Sequence, residues 1–177
     1  MMKKLHKVLI AAGLAAALAG CSSMGSKNGA GANGQMGQNG EGTYSQGLGA
    51  DGSFSWDNLS PAQRQQLLAQ RVYYFKFDSA QIREQDIPAI KAQAHYLLAN
   101  PNKKVLLAGN TDARGSREYN VALGMRRSDS VANILKMQGV SNKQIREISY
   151  GQEKPAVLGN TEEAYQKNRR VQLEYEN

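Results

Sequence analysis

The stretch NTDARGSREYNVALGMRRSDSV, residues 110–131, decides the fold because its periodicity changes part-way along. Thr111 to Ser116 is polar, aperiodic and contains glycine, which reads as a loop. Beyond it, Leu123, Val131, Ile134 and Leu135 recur at helical spacing, so a long helix is predicted from about Arg117 to Gln138, with Gly139 at the position where helices stop. Arg127 lies four residues after Leu123 and four before Val131, on the same apolar stripe. Its neighbour Arg126 is rotated by about 100° towards solvent. A charge among core positions needs partners, because an unpaired buried charge is costly. The residues alone leave two accounts open: an internal ion pair with Asp112 or Asp78, or a ligand site.

Working outward, Lys103 to Gly109 precedes the loop as a strand, and Ile145 to Tyr150 follows the helix as another. Val72 to Phe77 is β-branched and aromatic and ends at Asp78-Ser79, a further strand. Residues near 84–99 predict a helix that ends at Asn100-Pro101. Ser60-Pro61 offers a cap and a first-turn proline for a short helix within 59–71. Residues 161–168 read as a loop with one helical turn, ahead of a last strand from Arg169 to Glu176. On that strand Val171, Leu173 and Tyr175 share one face, and Arg169 has their parity. Strands and helices alternate, so a single sheet covered by helices on one face is the simplest architecture. The loop at Asp112 lies past the end of a strand and ahead of the helix carrying Arg127, where such sheets often hold ligands. One acid and two arginines there suit a zwitterion, since arginine grips a carboxylate bidentately and aspartate holds an ammonium.

The remaining sequence limits the function classes. The chain of 177 residues has 22 basic and 15 acidic residues, a formal charge of +7. Removing Lys3, Lys4 and Lys7 with a leader lowers this to +4, and no run of five basic residues argues for nucleic acid. A single cysteine excludes an internal disulfide framework, and His6 and His95 are too few for a histidine-rich metal centre. No cofactor is expected. Ten of the 18 glycines fall between Gly25 and Gly52. Residues 21–58 therefore read as a flexible tether, whose 37 residues after Cys21 span roughly 33 Å on average and up to roughly 120 Å stretched. Tyr44, Phe54 and Trp56 are its isolated aromatics, open to docking on the domain or on a partner, although such residues in a linker are more often idle.

Residues 1–20 read as a signal peptide: a basic start, an uncharged apolar run from Val8 to Leu18, then small residues before Cys21. Leu18-Ala19-Gly20-Cys21 resembles the lipobox of bacterial lipoproteins, which implies lipidation at Cys21 and cleavage before it. Two or more acyl chains give stable anchoring where one does not. Ser22, rather than aspartate, follows the cysteine, which makes the periplasmic face of the outer membrane the expected address.

FKFDSAQI (75–82), the 110–131 stretch, SYGQEKPAVLG (149–159) and NRRVQLEY (168–175) together resemble the OmpA C-terminal-like domain family, over a domain placed at 72–177. The resemblance implies an α+β fold, a two-layer sandwich with one mixed four-stranded sheet covered on one face by helices. It also implies non-covalent binding of peptidoglycan through the meso-diaminopimelate of its stem peptide. Matched by motif, it assigns Asp112 and Arg127 as the main ligand residues, with Phe77, Asp78, Leu123 and Arg169 around them. The lipoprotein members of the family further imply TolB and the other Tol proteins as partners, in envelope integrity and constriction at division. Asn110 stands where the family often has His, Lys76 replaces a frequent Asp, and Ser128 stands where Ala is usual. Lys76 has the opposite parity to Phe75 and Phe77 and is expected to face away. A wall hydrolase using Asp78 and Asp112 is the enzyme alternative; it would need a carboxylic acid of raised pKa, whereas adjoining arginines lower such values.

Overall fold

Ser60 opens the first helix by a reciprocal cap: its hydroxyl accepts from the Gln63 N–H, and the Gln63 side chain accepts from the Ser60 N–H. The computed structural model describes residues 54–176. In chain order it contains α1 (Pro61–Ala69), β1 (Val72–Tyr74), α2 (Ile87–Ala99), β2 (Lys104–Asn110), α3 (Arg117–Met137), β3 (Ile145–Gly151), α4 (Glu162–Asn168) and β4 (Arg170–Glu176). Short 3₁₀ turns at Glu84–Asp86 and Asn142–Gln144 lead into α2 and β3. The signal peptide, Cys21 and Tyr44 lie outside the described residues.

The strands form one mixed sheet in the order β1-β4-β2-β3. β4 runs antiparallel to β1 and β2, with Leu173 opposite Leu107, and β3 runs parallel to β2, with Glu147 beside Leu107. Alternation then sorts the side chains. Tyr73, Val105, Leu107, Val171 and Leu173 all point to one face and are at most 2% exposed. Ile90, Ala94 and Leu97 from α2 and Val131, Ala132 and Leu135 from α3 pack against them as one apolar cluster. The expected α+β sandwich, helices on one face, is the architecture observed.

α3 sits unusually close to the sheet, because glycines meet where it crosses β2. A methyl group on Gly109 would lie 1.9 Å from the Gly124 carbonyl oxygen. Ser128, at the usual alanine position, also lies in this contact, its hydroxyl donating to the Gly124 or Ile148 carbonyl at 3.3 and 3.2 Å. The close seating carries Arg127, one turn beyond Gly124, in under the end of β1.

Three boundaries differ from expectation. β1 ends at Tyr74 rather than Phe77: the Phe75 N–H still donates to the Arg169 carbonyl (2.9 Å), but the Phe75 and Lys76 carbonyls turn to arginine side chains instead of a strand. The expected single turn at 161–168 is a seven-residue helix, capped by Thr161 and carrying Glu162 and Glu163 in its first turn and Lys167 in its last. Phe54 and Trp56, expected in the tether, pack against the apolar cluster, so the folded body includes residue 54, ahead of the boundary placed at 58.

Candidate functional site

A cleft of about 170 Å³ opens between the β1–α2 segment, the β2–α3 loop and the start of α3. Phe77, Asp78, Asp112, Leu123, Arg127 and Arg169, the six residues expected at a site, all line it, together with Thr111, Arg114, Gly115, Tyr119 and Asn120. The topology brings them there. β2 and β4 are neighbours, so Asp112 at the end of one meets Arg169 at the start of the other, and α3 returns Leu123 and Arg127 beneath both.

Asp112 is 4% exposed and holds two guanidinium groups. Its Oδ2 accepts from Arg114 Nη2 at 2.7 Å and from Arg169 Nη1 at 3.0 Å, and its Oδ1 accepts from the Arg114 N–H at 3.1 Å. Burial by itself would raise its pKa, but these hydrogen bonds hold the carboxyl below the usual value of 3.8. Arg169 also donates to the Phe75 carbonyl (3.2 Å) and to Glu162 (2.8 Å).

Arg127 does not make the internal ion pair with Asp112 or Asp78 that the sequence left open. Its guanidinium, fully buried, donates to three main-chain carbonyls: Nε to Ser79 (2.8 Å), Nη1 to Asn110 (2.8 Å) and Nη2 to Lys76 (3.2 Å). One side chain thus ties the segment after β1 to the end of β2 and forms the cleft floor. Burial pushes its pKa down to about 10, which leaves it charged at neutral pH. Three of its five N–H groups are committed to carbonyls. The positive charge meets no carboxylate directly.

Asp78 is exposed, with φ of 51°, a left-handed conformation that aspartate tolerates better than most side chains. It accepts from the Tyr119 hydroxyl, and this hydrogen bond raises the tyrosine pKa. Phe77 is 59% exposed at the cleft mouth. Lys76 faces away, as its parity predicts, and only its carbonyl serves the site. Asn110, where histidine is frequent, is fully buried; its Nδ2 donates to the Ala108 carbonyl at 2.9 Å, and its Oδ1 has no partner.

Sequence reasoning missed Arg114. It bridges Asp112 and Glu162, and its guanidinium lies 4.0 Å from the Phe77 ring centroid and 4.4 Å from that of Tyr165. Its Nε and the Thr111 hydroxyl oxygen are buried without a partner on the cleft wall. Asn120, also missed, donates to the Arg114 carbonyl (3.0 Å) and to Gln152 (2.6 Å), fixing the loop's path. Arg114, Arg127 and Arg169 therefore line one small cleft with Asp78 and Asp112, while the exposed Glu162, outside the lining, pairs with Arg114 and Arg169. Among the described residues no group of three His, Cys, Asp or Glu side chains could hold a metal ion.

Acid should test the Asp112 cluster. A carboxyl whose folded pKa is depressed adds stability that is present above its unfolded pKa and is lost as pH falls through the folded value. Wild type is expected to exceed Asp112→Asn in urea midpoint at about pH 6, and the gap should shrink as the pH is taken progressively below 3.8, the ordinary value for the carboxyl. A constant gap between those pH values would mean that the carboxylate charge adds nothing.

A fold in which sheet, cleft and loop are arranged in this way defines a class, and comparison with known proteins identifies it. Residues 74–169 match the OmpA family. The peptidoglycan-associated lipoprotein of Pasteurella multocida is 42% identical over 174 residues, covering 98% of this chain and 100% of that protein. That of Legionella pneumophila is 46% identical over 131 residues, 74% of each chain. The crystal structure of the peptidoglycan-associated lipoprotein from Burkholderia pseudomallei superposes with a TM-score of 0.61 at 41% identity, covering 62% of this chain and 93% of that one. The C-terminal domain of Helicobacter pylori MotB, 22% identical with a TM-score of 0.56 over 60% of this chain and 84% of that one, shares the fold. The chain belongs to the OmpA family and, within it, to the peptidoglycan-associated lipoproteins.

Proposed function

We propose that the chain is an envelope protein that binds peptidoglycan non-covalently, gripping the meso-diaminopimelate of the stem peptide in the cleft floored by Arg127. The mixed charge around about 170 Å³ carries this reading: Arg114, Arg127 and Arg169 line the cleft with Asp78 and Asp112, which suits a ligand bearing both a carboxylate and an ammonium. Arg127 and the unpartnered Arg114 Nε supply donors for a carboxylate. Asp112 already accepts three hydrogen bonds, so Asp78, which accepts only from Tyr119, has the greater room for an ammonium. The buried Thr111 hydroxyl completes the polar lining. A hydrolase is disfavoured, because Asp112 is held below the ordinary carboxylate range, opposite to what a general acid needs.

Purified sacculi test the site. The chain should pellet with sacculi that carry meso-diaminopimelate and be retained less on amidated or lysine-type sacculi, each of which removes one charge of the zwitterion. One lost charge-assisted contact is worth about 2 kcal/mol, roughly thirtyfold in affinity. Equal retention on all three would remove the zwitterion from the reading.

The same proposal places the domain on a lipid anchor at Cys21, at the periplasmic face of the outer membrane, with the tether spanning to the wall and TolB and the other Tol proteins as partners. The names of its relatives and the apolar run before Cys21 support the anchor. Cys21→Ser should leave the outer-membrane fraction and appear as soluble or uncleaved protein. If cell fractionation finds the variant embedded in the membrane at wild-type level with peptidoglycan removed, the anchor is elsewhere.

A further inference from the structure

The chain reaches the folded body through two aromatic residues set against α1 and α2. The Trp56 ring stacks on His95 of α2, with centroids 4.4 Å apart and planes inclined by 16°. Arg64 of α1 lies 5.3 Å from the same ring and donates to the Trp56 and Asp57 carbonyls at 3.3 and 3.2 Å. Lys91 of α2 stands 5.9 Å from the Phe54 ring. Both aromatics are half-buried, and the contact is loosely packed: a cavity of about 280 Å³ lies between them and Lys91, His95 and Leu98. Leu59, at 4% exposure, is the first residue of the described chain to be fully part of the core.

We propose that Phe54–Asp57 is a reversible clip that fastens the membrane-side end of the tether to α1 and α2 and holds a few residues of reach in reserve. Its purpose follows from the lipid-anchored reading above; its geometry does not depend on that reading. Among the described residues, the clip is the first contact that a load arriving from the anchor side of the chain meets. The contacts holding it are one ring stack, two cation–π approaches and two hydrogen bonds from a partly exposed arginine. To these are added the Leu59 N–H bond to the Trp56 carbonyl (3.2 Å), an isolated bridge at Phe54 and the packing of the two half-buried rings at the margin of the apolar cluster. Segments with few buried apolar contacts open below the stability of the core. Peeling stops at Leu59, which frees residues 54–58, roughly 17 Å of extended chain.

Trp56 is the only tryptophan of the chain, so its emission reports the clip alone. The full chain carrying Cys21→Ser, unfolded in urea, should show Trp56 emission shifting to the red at lower urea than the loss of far-UV ellipticity, with a shallower dependence on urea. His95→Ala should move the first transition to lower urea and leave the second in place. Coincident transitions in both chains, a water-exposed Trp56 without urea, or an early transition that His95→Ala does not move would each overturn the clip. Pulling supplies the length: between Cys21 of the unacylated chain and a cysteine placed by L158C, where the side chain is 85% exposed, a step of at most roughly 17 Å, the contour of the freed residues less the span they already cover when docked, should precede domain unfolding. Absence of that step would remove the reserve of reach. None of these readings involves sacculi, so their failure leaves the wall-binding proposal standing, and failure to bind sacculi leaves the clip standing.

Discussion

Arg127→Ala is expected both to abolish retention on sacculi and to lower the melting temperature by roughly 10–20 °C, about 3–5 kcal/mol for a domain of this size. Sequence reasoning makes the residue a ligand contact whose removal leaves the fold intact, and the geometry changes that expectation. Three carbonyls, those of Lys76, Ser79 and Asn110, lose their donor together, and the largest fully buried side chain of the described residues leaves a void. Arg169, between the Phe75 carbonyl and Asp112, and Arg114, between Asp112 and the Phe77 ring, then hold the loop after β1 to the end of β2 without the floor beneath them, so Phe77, Asp78 and Asp112 lose part of their common frame. Arg127→Lys keeps the charge but not the planar fork, and one ammonium cannot serve three carbonyls set around it. It should recover part of the stability and little of the binding. Thermal melts and sacculus pull-down on the same variants separate the roles. A variant that melts early yet pellets fully while folded would leave Arg127 as a brace only, and one that melts like wild type would show that the carbonyl bonds stabilise nothing.

Arg127 was legible because periodicity is strict on a helix: a charge at a core position stands out whatever its purpose. The same holds for Arg169, whose parity on β4 matches Val171 and Leu173, and the structure buries both. Periodicity identified where these side chains point but not what they meet. Carbonyl partners have no side-chain signature, so the three acceptors of Arg127 were unreadable, and an ion pair was the natural alternative. Arg114 was missed for the opposite reason. It sits in an aperiodic loop, and the rings of Phe77 and Tyr165 that flank it come from distant parts of the chain. Its spacing from Asp112, two residues on in a turn, was the one local hint. The shortening of β1 has the same origin, since arginines from α3 and the start of β4 take the carbonyls that a longer strand would have offered to a neighbour. The helix at 162–168 was open to prediction: Thr161-Glu-Glu is an N-terminal signal read too cautiously. The docking of Phe54 and Trp56 was one of the alternatives the sequence left open, but glycine-rich surroundings gave no sign of partners on α1 and α2.

Gly109→Ala should be the most destabilising substitution of a single methyl group in the domain. The added carbon would fall 1.9 Å from the Gly124 oxygen and 2.6 Å from both the Gly124 carbonyl carbon and the Ser128 hydroxyl oxygen. The first two are main chain of α3, so no rotamer change relieves the clash, and the helix must move off the sheet. Overpacking of an ordinary core costs about 1–3 kcal/mol, and a backbone collision belongs at or above the top of that range. Displacement of α3 also lifts Arg127, one turn away, from its carbonyls, so the site should fail along with the core. Gly124→Ala is the internal control. Its methyl would meet the Ser149 hydroxyl at 2.3 Å, the end of a side chain that can rotate, and the Gly109 oxygen only at 3.0 Å. Gly124→Ala should therefore be the milder change, and adding Ser149→Ala to it should recover most of the loss, whereas Ser128→Ala added to Gly109→Ala should recover little. Urea midpoints of the four variants measure the order. If Gly109→Ala proves no worse than Gly124→Ala, then α3 does not rest on β2 through bare backbone, and the depth at which Arg127 is buried must have another cause.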